Sequence, residues 1–586
     1  MPGLIAELQR RNVFRVAVLY LIASWLTLQV ADVGVSLLGL PGWTGRLVVM
    51  LLAIGFPVAL VVSWAFELTP DGLRREHAVP SEDSIAHVTG RKLNLLIGAV
   101  SALAIIVVVA DRFIPRASQA PLATVATAPV AQPRDLTQSI AVLPFVNLSQ
   151  DASNVYFSEG LSEDLINTLA RLPNLRVIGR TSSFQFKGRH EDVRAIGEQL
   201  GVANVLEGSV QKLGDRVRVN AQLVSASNGS EVWADSYERD LGNAFAIQDD
   251  IVGDVVKALR IELLDPDAQR HDAPSNPEAY TLTLKGRYFL HRNSRKDLRK
   301  AAAFYREAIA LAPDYAPAWA GLAGVYYAQT SYNHMPVAVG LKAMRAATER
   351  ALALDPDLAA GHHMLAAIQK DYDWDWAAAE QSIDRAQALS PGDPAVLRQA
   401  GTLKMIRGHF DEAIALYQQS LDLDPLELTT LNNLAIAQYY AGHLDAATST
   451  IDKLVELNPQ SDGAAYFQGL VALAQERPRE ALAAFKREPD GLWKLQGQAL
   501  AYHALEQPDA SDAALAKLTE TFASDSAFQI AEVHAFRGEN DAALAWLDRA
   551  YAQRDGGLSE IKGDPLLRNL KIDPRYTAFL AQMRLQ

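Results

Sequence analysis

Hydrophobic and polar positions change rhythm several times along the chain. Near the amino terminus, residues 47–66 (LVVMLLAIGFPVALVVSWAF) and 93–110 (LNLLIGAVSALAIIVVVA) run without a single charge. About 20 apolar residues in helical form are needed to cross the hydrocarbon of a bilayer, so both are predicted membrane helices. Residues 16–40 form a weaker third span, interrupted by Gln29 and Asp32 and flanked by Tyr20, Trp25 and Trp43, which suit the interface. Pro57 lies within the second span, where neighbouring membrane helices tolerate it. Residues 115–138 (PRASQAPLATVATAPVAQPRDLTQ) then lose all periodicity and read as an extended tether.

From Ser139 the pattern predicts alternating elements. A strand over 139–145 is followed by a helix over 157–172, with Glu159, Glu163 and Asp164 placed to favour the helix dipole. A strand over 175–180, a helix over 192–200, three strands over 205–212, 216–225 and 231–237, and a helix over 244–263 complete the set. Turns with glycine fall at Gly214 and Gly229. The order β-α-β-α-β-β-β-α predicts one sheet with covering helices. Beyond residue 276 the spacing is helical, alanine-rich and punctuated by LAPDY, LDPDL, LSPGD, LDPLE and LNPQS.

Lys and Arg in the flanks orient the anchor. Arg10, Arg11, Arg15, Arg74, Arg75, Arg91 and Lys92 stand on one side, against Arg46, Arg112 and Arg116 on the other. The amino terminus is therefore expected in the cytoplasm of a bacterial inner membrane, with everything after residue 110 in the periplasm; no cleavable signal is evident. A net charge of −13 offers no basic face for phosphates, so nucleic acid is not an expected partner. The absence of cysteine removes disulfides, thiolate metal sites and cysteine nucleophiles.

The runs SIAVLPFVNLSQD, YFSEGLSEDLINTLARLPNLRVIGRTSSFQFKG and LGVANVLEGSVQKLGDRVRVNAQLVSASNGSEVWADSYERDL resemble the TolB/FlgO-like amino-terminal domain of bacterial membrane proteins that also carry tetratricopeptide (TPR) arrays. The resemblance spans about residues 139–264, and Arg11-Asn-Val-Phe-Arg15 and Ala65-Phe-Glu-Leu-Thr-Pro70 resemble the membrane segment that often precedes it. It implies a sensor or assembly role. In that wider group the leading part is instead a winged-helix DNA-binding domain or a nucleotide cyclase; about 15 residues before the first span leave no room for either here.

The punctuating prolines 313, 356, 391, 425 and 459 are separated by 43, 35, 34 and 34 residues. Thirty-four is the TPR period, and 43 fits a unit with an insertion near 331–336. Counted from Pro425, Gly401 and Ala413 fall where the paired helices cross closely and Tyr417 where an aromatic fills the core. Ala435, Ala447 and Ile451 take these places in the next unit; Trp319, Leu322, Ala323 and Tyr326 fit an earlier one. Gly469, Ala481 and Phe485, then Ala531, Ala543 and Leu547, fit later ones. About eight units are predicted, with the ending GDPLLRNLKIDPRYTAFLAQMRL as a closing helix.

The predicted fold class is thus multi-domain: a three-helix transmembrane anchor (1–114), a linker (115–138), a small α/β domain (139–264) and an all-α TPR solenoid (276–586). First-helix positions Arg398, Thr402, Thr429, Asn432, Ile436 and Tyr439 are expected on a concave face that grips a peptide or helix. No catalytic, cofactor or metal residues are indicated: there is no P-loop, no dinucleotide fingerprint, no His-Glu-x-x-His and no nucleophile elbow. Asp371-Tyr-Asp-Trp-Asp-Trp376 lacks the glycine and distal glutamate of a calcium loop and reads as a connecting turn, and adjacent His362 and His363 do not share a helix face. Arg180-Thr-Ser-Ser183 fits either an anion-binding turn or ordinary turn hydrogen bonds. The expected function is a periplasmic, non-enzymatic scaffold or sensor for protein partners. The alternatives are a receptor whose α/β domain binds a small ligand and, less favoured by the residues, an enzyme with a catalytic α/β domain.

Overall fold

The structure is a computed structural model that describes residues 138–586 except 150, 173, 190, 214–215, 241–243, 260–275, 460 and 462. Before residue 138 it describes only 66–69, 72–75 and positions 20, 24, 27, 50, 52 and 56. The chain forms two units, residues 1–131 and 132–586. In the first, strands β1 (Phe66–Thr69) and β2 (Gly72–Arg75) pair antiparallel, and the Tyr20 hydroxyl donates to the Leu52 carbonyl at 2.8 Å. The three predicted spans otherwise lie outside the described residues, among which no helix is long and apolar enough to cross a membrane.

The second unit begins with the α/β domain. Its sheet runs β5 (Arg176–Val177), β3 (Ser139–Val142), β6 (Asn204–Leu213), β7 (Arg216–Ser225), β8 (Glu231–Asp240), with β4 (Val146–Asn147) also on β6. β3 is parallel to both neighbours and buried along its whole length, as a strand covered on both faces must be. The β6–β7–β8 meander is antiparallel, and β7 alternates buried Val217, Val219 and Ala221 with exposed Arg216, Arg218 and Asn220. Helices α1 (Val155–Leu169) and α4 (Ala244–Ala258) cover one face through Leu161, Leu165, Ile251 and Val255. α3 (Val193–Leu200) covers the other with Ile196 and Leu200. The predicted order of elements holds. Gly229 takes the positive φ of +71° that its turn requires, while the turn at Gly214 lies outside the described residues. Two short elements were not expected: β4, just beyond the predicted first strand, and the helix α2 (Arg180–Phe184), in the segment read as a strand end and turn.

Residues 277–553 form eight helix pairs, α5 (Pro277–Arg292) with α6 (Arg295–Leu311) through α19 (Ala527–Phe536) with α20 (Asn540–Gln553). In chain order the intervening helices are α7 (Ala316–Ser331), α8 (Val337–Leu354), α9 (Ala359–Ile368), α10 (Trp376–Leu389), α11 (Pro394–Ile406), α12 (Phe410–Leu423), α13 (Leu428–Tyr440), α14 (Leu444–Leu457), α15 (Ala464–Ala474), α16 (Pro478–Arg487), α17 (Leu492–Ala504) and α18 (Pro508–Phe522). The two helices of each pair pack on each other, and each second helix packs on the first helix of the next pair, the nearest-neighbour order of a solenoid. The small-residue positions do what their spacing predicts. A Cβ on Gly401 would stand 2.8 Å from the Tyr417 ring, and Ala413, Ala447, Ala481 and Ala543 are fully buried. The 43-residue interval is accommodated by two long helices, of 16 and 18 residues, and the turn between them.

The ending differs from the expected closing helix. It consists of two 3-10 turns, Gly556–Glu560 and Pro565–Leu570, and a short helix α21 (Pro574–Gln582). Asp555, Asp564 and Asp573 each cap the turn that follows, which divides the segment into three. The segment does not stop at the last pair. Trp376 and Ile406 from the third and fourth pairs share a core with Leu567, Phe579 and Met583, and the Tyr440 hydroxyl donates to Glu560 at 2.6 Å.

Candidate partner-binding face

The α/β domain and the helix array are locked together by two polar joints. In the first, α1 meets α5, and Tyr280 and Leu284 enter the core of the α/β domain. A Cβ on Gly160 would stand 2.8 Å from Leu284, so the glycine allows the approach. Arg287 donates to Asp164 at 2.6 Å and lies 3.5 Å from Glu163, which also meets Arg180 at 3.0 Å and His291 at 3.1 Å. Burial alone would raise the Glu163 carboxyl, yet Arg287, His291 and Arg180 hold it well below the usual range. These acids do not serve the helix dipole: α1 starts at Val155, so its first turn carries no acid, and they occupy the face turned to α5.

The second joint answers the question left by Arg180-Thr-Ser-Ser183. The amide of Ser182, in α2, donates at 2.7 Å to the Asp424 carboxylate, and the Ser182 hydroxyl bonds the same oxygen. The anion is thus supplied by the array itself, from the turn between α12 and α13. The Gly179 amide donates to the Leu423 carbonyl at 2.6 Å and the Leu426 amide to the Ser182 hydroxyl at 2.9 Å. Replacing Asp424 by alanine is expected to weaken this joint by about 1–3 kcal/mol, since the buried Ser182 groups lose their acceptor. Hydrogen exchange checks this: the amides of 176–186 should exchange faster while those of the last repeats do not change.

On the array, the first helices of pairs five to eight and the closing segment surround a cavity of about 530 Å³. Four of the six positions expected on the concave face line it: Thr429, Asn432, Ile436 and Tyr439. Thr429 is exposed and Asn432 half-buried, but Ile436 and Tyr439 are only 5% and 4% exposed, because the closing segment helps enclose them. The face is therefore not an open groove at these positions. Arg398 and Thr402 are not among the cavity's lining residues: Arg398 lies 3.8 Å from Glu427, and the Thr402 hydroxyl accepts from Tyr417 at 3.1 Å.

Sequence reasoning missed the cavity's acids, Glu532 of α19 and Glu560 and Asp564 of the closing segment. A signal was present in AFQIAEVHAF, where Glu532 interrupts an apolar first helix. Gln496 donates to Glu532 at 2.6 Å, and the Leu566 amide donates to Asp564 at 2.8 Å. Burial raises all three carboxyls, Glu560 to about 7. A carboxyl raised in the folded state binds more protons there than in the unfolded chain, so its contribution diminishes stability as pH rises from about 4.5 through 7. Between pH 5 and 8 the closing segment is expected to lose on the order of 2 kcal/mol, and Glu560→Gln to flatten that slope. Thermal unfolding of both proteins across this range tests it.

Other motifs resolve into packing. Tyr327 donates to Asp371 at 2.8 Å, Arg345 to Asp373 at 2.7 Å, and Asp375 caps α10, so the three acids face different partners. The ring of His362 lies 2.8 Å from the Pro356 carbonyl.

With this geometry in hand, comparisons with known proteins bear on both halves of the second unit. A tetratricopeptide-repeat family profile matches residues 404–471, in agreement with the helix pairs there, and residues 277–553 form a TPR-like helical solenoid. A profile described as the second domain of HilA/YgeH-like transcriptional regulators matches residues 136–253, the α/β domain. A protein of Rhizobium meliloti (strain 1021) named "Putative adenylate cyclase 3" is 38% identical over 186 residues. That match covers 31% of this chain and 32% of the relative, so the chain spans about a third of the length of the curated relative it matches. Among solved structures, Pseudomonas aeruginosa PilF aligns with 35% of this chain and 91% of its own at 15% identity and a TM-score of 0.30. The TPR protein YrrB aligns with 34% and 97% at 18% identity and 0.27. The lipoprotein GNA1162 of Neisseria meningitidis aligns with 22% and 99% at 22% identity and 0.17.

Proposed function

We propose that this chain is a non-enzymatic scaffold that holds protein partners on the concave side of its TPR array, anchored in a bacterial inner membrane with its α/β and TPR domains in the periplasm. The observation that carries the proposal is the cavity on the first helices of pairs five to eight, reached past exposed Thr429. First helices are the ones a solenoid of hairpins turns toward a bound segment. The uncharged runs at 47–66 and 93–110 and the bias of basic residues support the anchor and its orientation. The TolB/FlgO-like resemblance supports a sensing or assembly role for the α/β domain.

The test is affinity capture with the full chain from its bacterial host. The unaltered chain should retain a protein that is lost when Thr429→Arg and Asn432→Arg block the mouth; retention of the same protein by the blocked variant would refute the proposal. Reporters fused after Gln586 test the side, and activity confined to the cytoplasm would overturn the orientation.

A second reading, a receptor in which the α/β domain takes a small ligand, is favoured by the two polar joints. Through them a change at α1 or α2 bears directly on the first and fourth helix pairs. Capture that occurs only when a metabolite is supplied would favour it.

A further inference from the structure

The cavity's walls and its charge belong to different categories. Tyr439, Tyr440 and Tyr466 supply aromatic surface, and at the entrance Trp493, 37% exposed, packs on Tyr466 with ring centroids 4.9 Å apart. Inside stand Glu532, Glu560 and Asp564. Among the described residues none of these three acids has a Lys, Arg or His within ion-pairing distance; Lys571 acts on Asp564 only from further away. Asp564 is 1% exposed, and beside the Leu566 amide its carboxyl has a carboxyl–carboxylate hydrogen bond, which requires a proton held between two acids. Its neighbour in the pocket is Glu532, another acid. Burying polar atoms without partners is costly, and burying like charges together more so.

Buried acids elsewhere in the second unit have partners. Glu163, at the joint with the α/β domain, has the guanidinium groups of Arg287 and Arg180 and the ring of His291 beside it, and Asp424 has the Ser182 amide and hydroxyl. The cavity's acids have the Tyr440 hydroxyl, the Gln496 amide, one backbone amide and the hydrogen bond between Glu532 and Asp564. They lack a cation.

We infer that the cavity receives the side chain of an arginine or lysine from the partner segment held on the concave face, its charged head between Glu532, Asp564 and Glu560 and its stem against the tyrosines. This rests on the scaffold reading and names the chemistry of what the scaffold holds. The volume is that of a small-ligand pocket, enough for a long basic side chain and part of its backbone. A cation over Tyr or Trp faces gains further attraction. An arginine satisfies two carboxylates at once through its planar fork.

The test is titration calorimetry on the full chain at pH 7.5 with the peptide acetyl-Gly-Gly-Arg-Gly-Gly-amide, its citrulline analogue and agmatine. The arginine peptide should bind, and the isosteric but neutral citrulline peptide should bind at least tenfold more weakly. Asp564→Asn and, separately, Glu560→Gln should each weaken the arginine peptide at least tenfold, with helix content unchanged by circular dichroism. Equal binding of the arginine and citrulline peptides would overturn the assignment, as would undiminished binding to both variants. So would agmatine binding with the peptide excluded, which would make this a small-molecule site. If no peptide binds while the capture experiment still loses its protein in the mouth-blocked variant, the basic-side-chain inference fails and the scaffold reading stands.

Discussion

Replacing Arg287 by alanine is expected to destabilise the joined α/β and TPR unit by about 3–5 kcal/mol, the cost of removing one partner from a buried ion pair. Glu163 would remain buried and Asp164 half-buried on α1 with their shared cation gone, and His291 and Arg180 reach only Glu163. The loss has a pH signature. In the unaltered protein Glu163 has a depressed folded value, so its contribution is present above the ordinary carboxylate range and disappears as pH falls. In the variant, burial acts on Glu163 with less to oppose it, so protonation relieves the penalty. The deficit should therefore be largest near pH 7 and shrink toward pH 4. Denaturant unfolding at both values, with Arg287→Lys as the charge-preserving control, measures it. A deficit independent of pH would assign the effect to lost packing instead.

Replacing Trp376 by alanine is expected to cost a similar 3–5 kcal/mol, borne by the closing segment. The indole is 2% exposed, its Nε1 donates to the Met583 carbonyl at 2.8 Å, and it shares a core with Phe528, Leu567 and Phe579. Arg554 rests over the adjacent Trp374 ring at 4.9 Å and donates to the Tyr372 carbonyl at 2.8 Å. Truncating Trp376 therefore empties the place where the third helix pair holds the end of the chain. Hydrogen exchange should rise sharply in the amides of 556–585 and much less in α5–α8. Uniform acceleration across the array would contradict the local role.

The repeats were legible because their cause is local and periodic. Small residues at Gly401, Ala413 and Ala435 are demanded by helix crossings a fixed number of residues apart, and helix-ending prolines repeat with them. The β6–β7–β8 meander was legible for the same reason, as alternation is the strand's own period. What could not be read had causes far along the chain. α2 is completed by Asp424, 242 residues later, so Arg180-Thr-Ser-Ser183 by itself looked like a turn. Glu159 and Glu163 looked like dipole acids because their partners Lys187, Arg287 and His291 follow in other elements. The closing segment has no repeat to follow, and its return to Trp376 and Tyr440 is set by tertiary packing alone. Ile436 and Tyr439 were correctly placed on a first helix, but that helix face is partly covered by the end of the chain. Glu532, Glu560 and Asp564 form no motif, since two helix turns of the closing segment and one repeat helix bring them together only in space.

The claim on which the rest depends is that a partner is held on the first-helix side of the TPR array. The most direct measurement places a photo-crosslinking amino acid at Asn432, on the cavity wall, and separately at Asp452, exposed on the second helix of the same pair, in the full chain within living cells. The account predicts a discrete protein adduct from position 432 and none from 452. Adducts from 452 with none from 432 would contradict it.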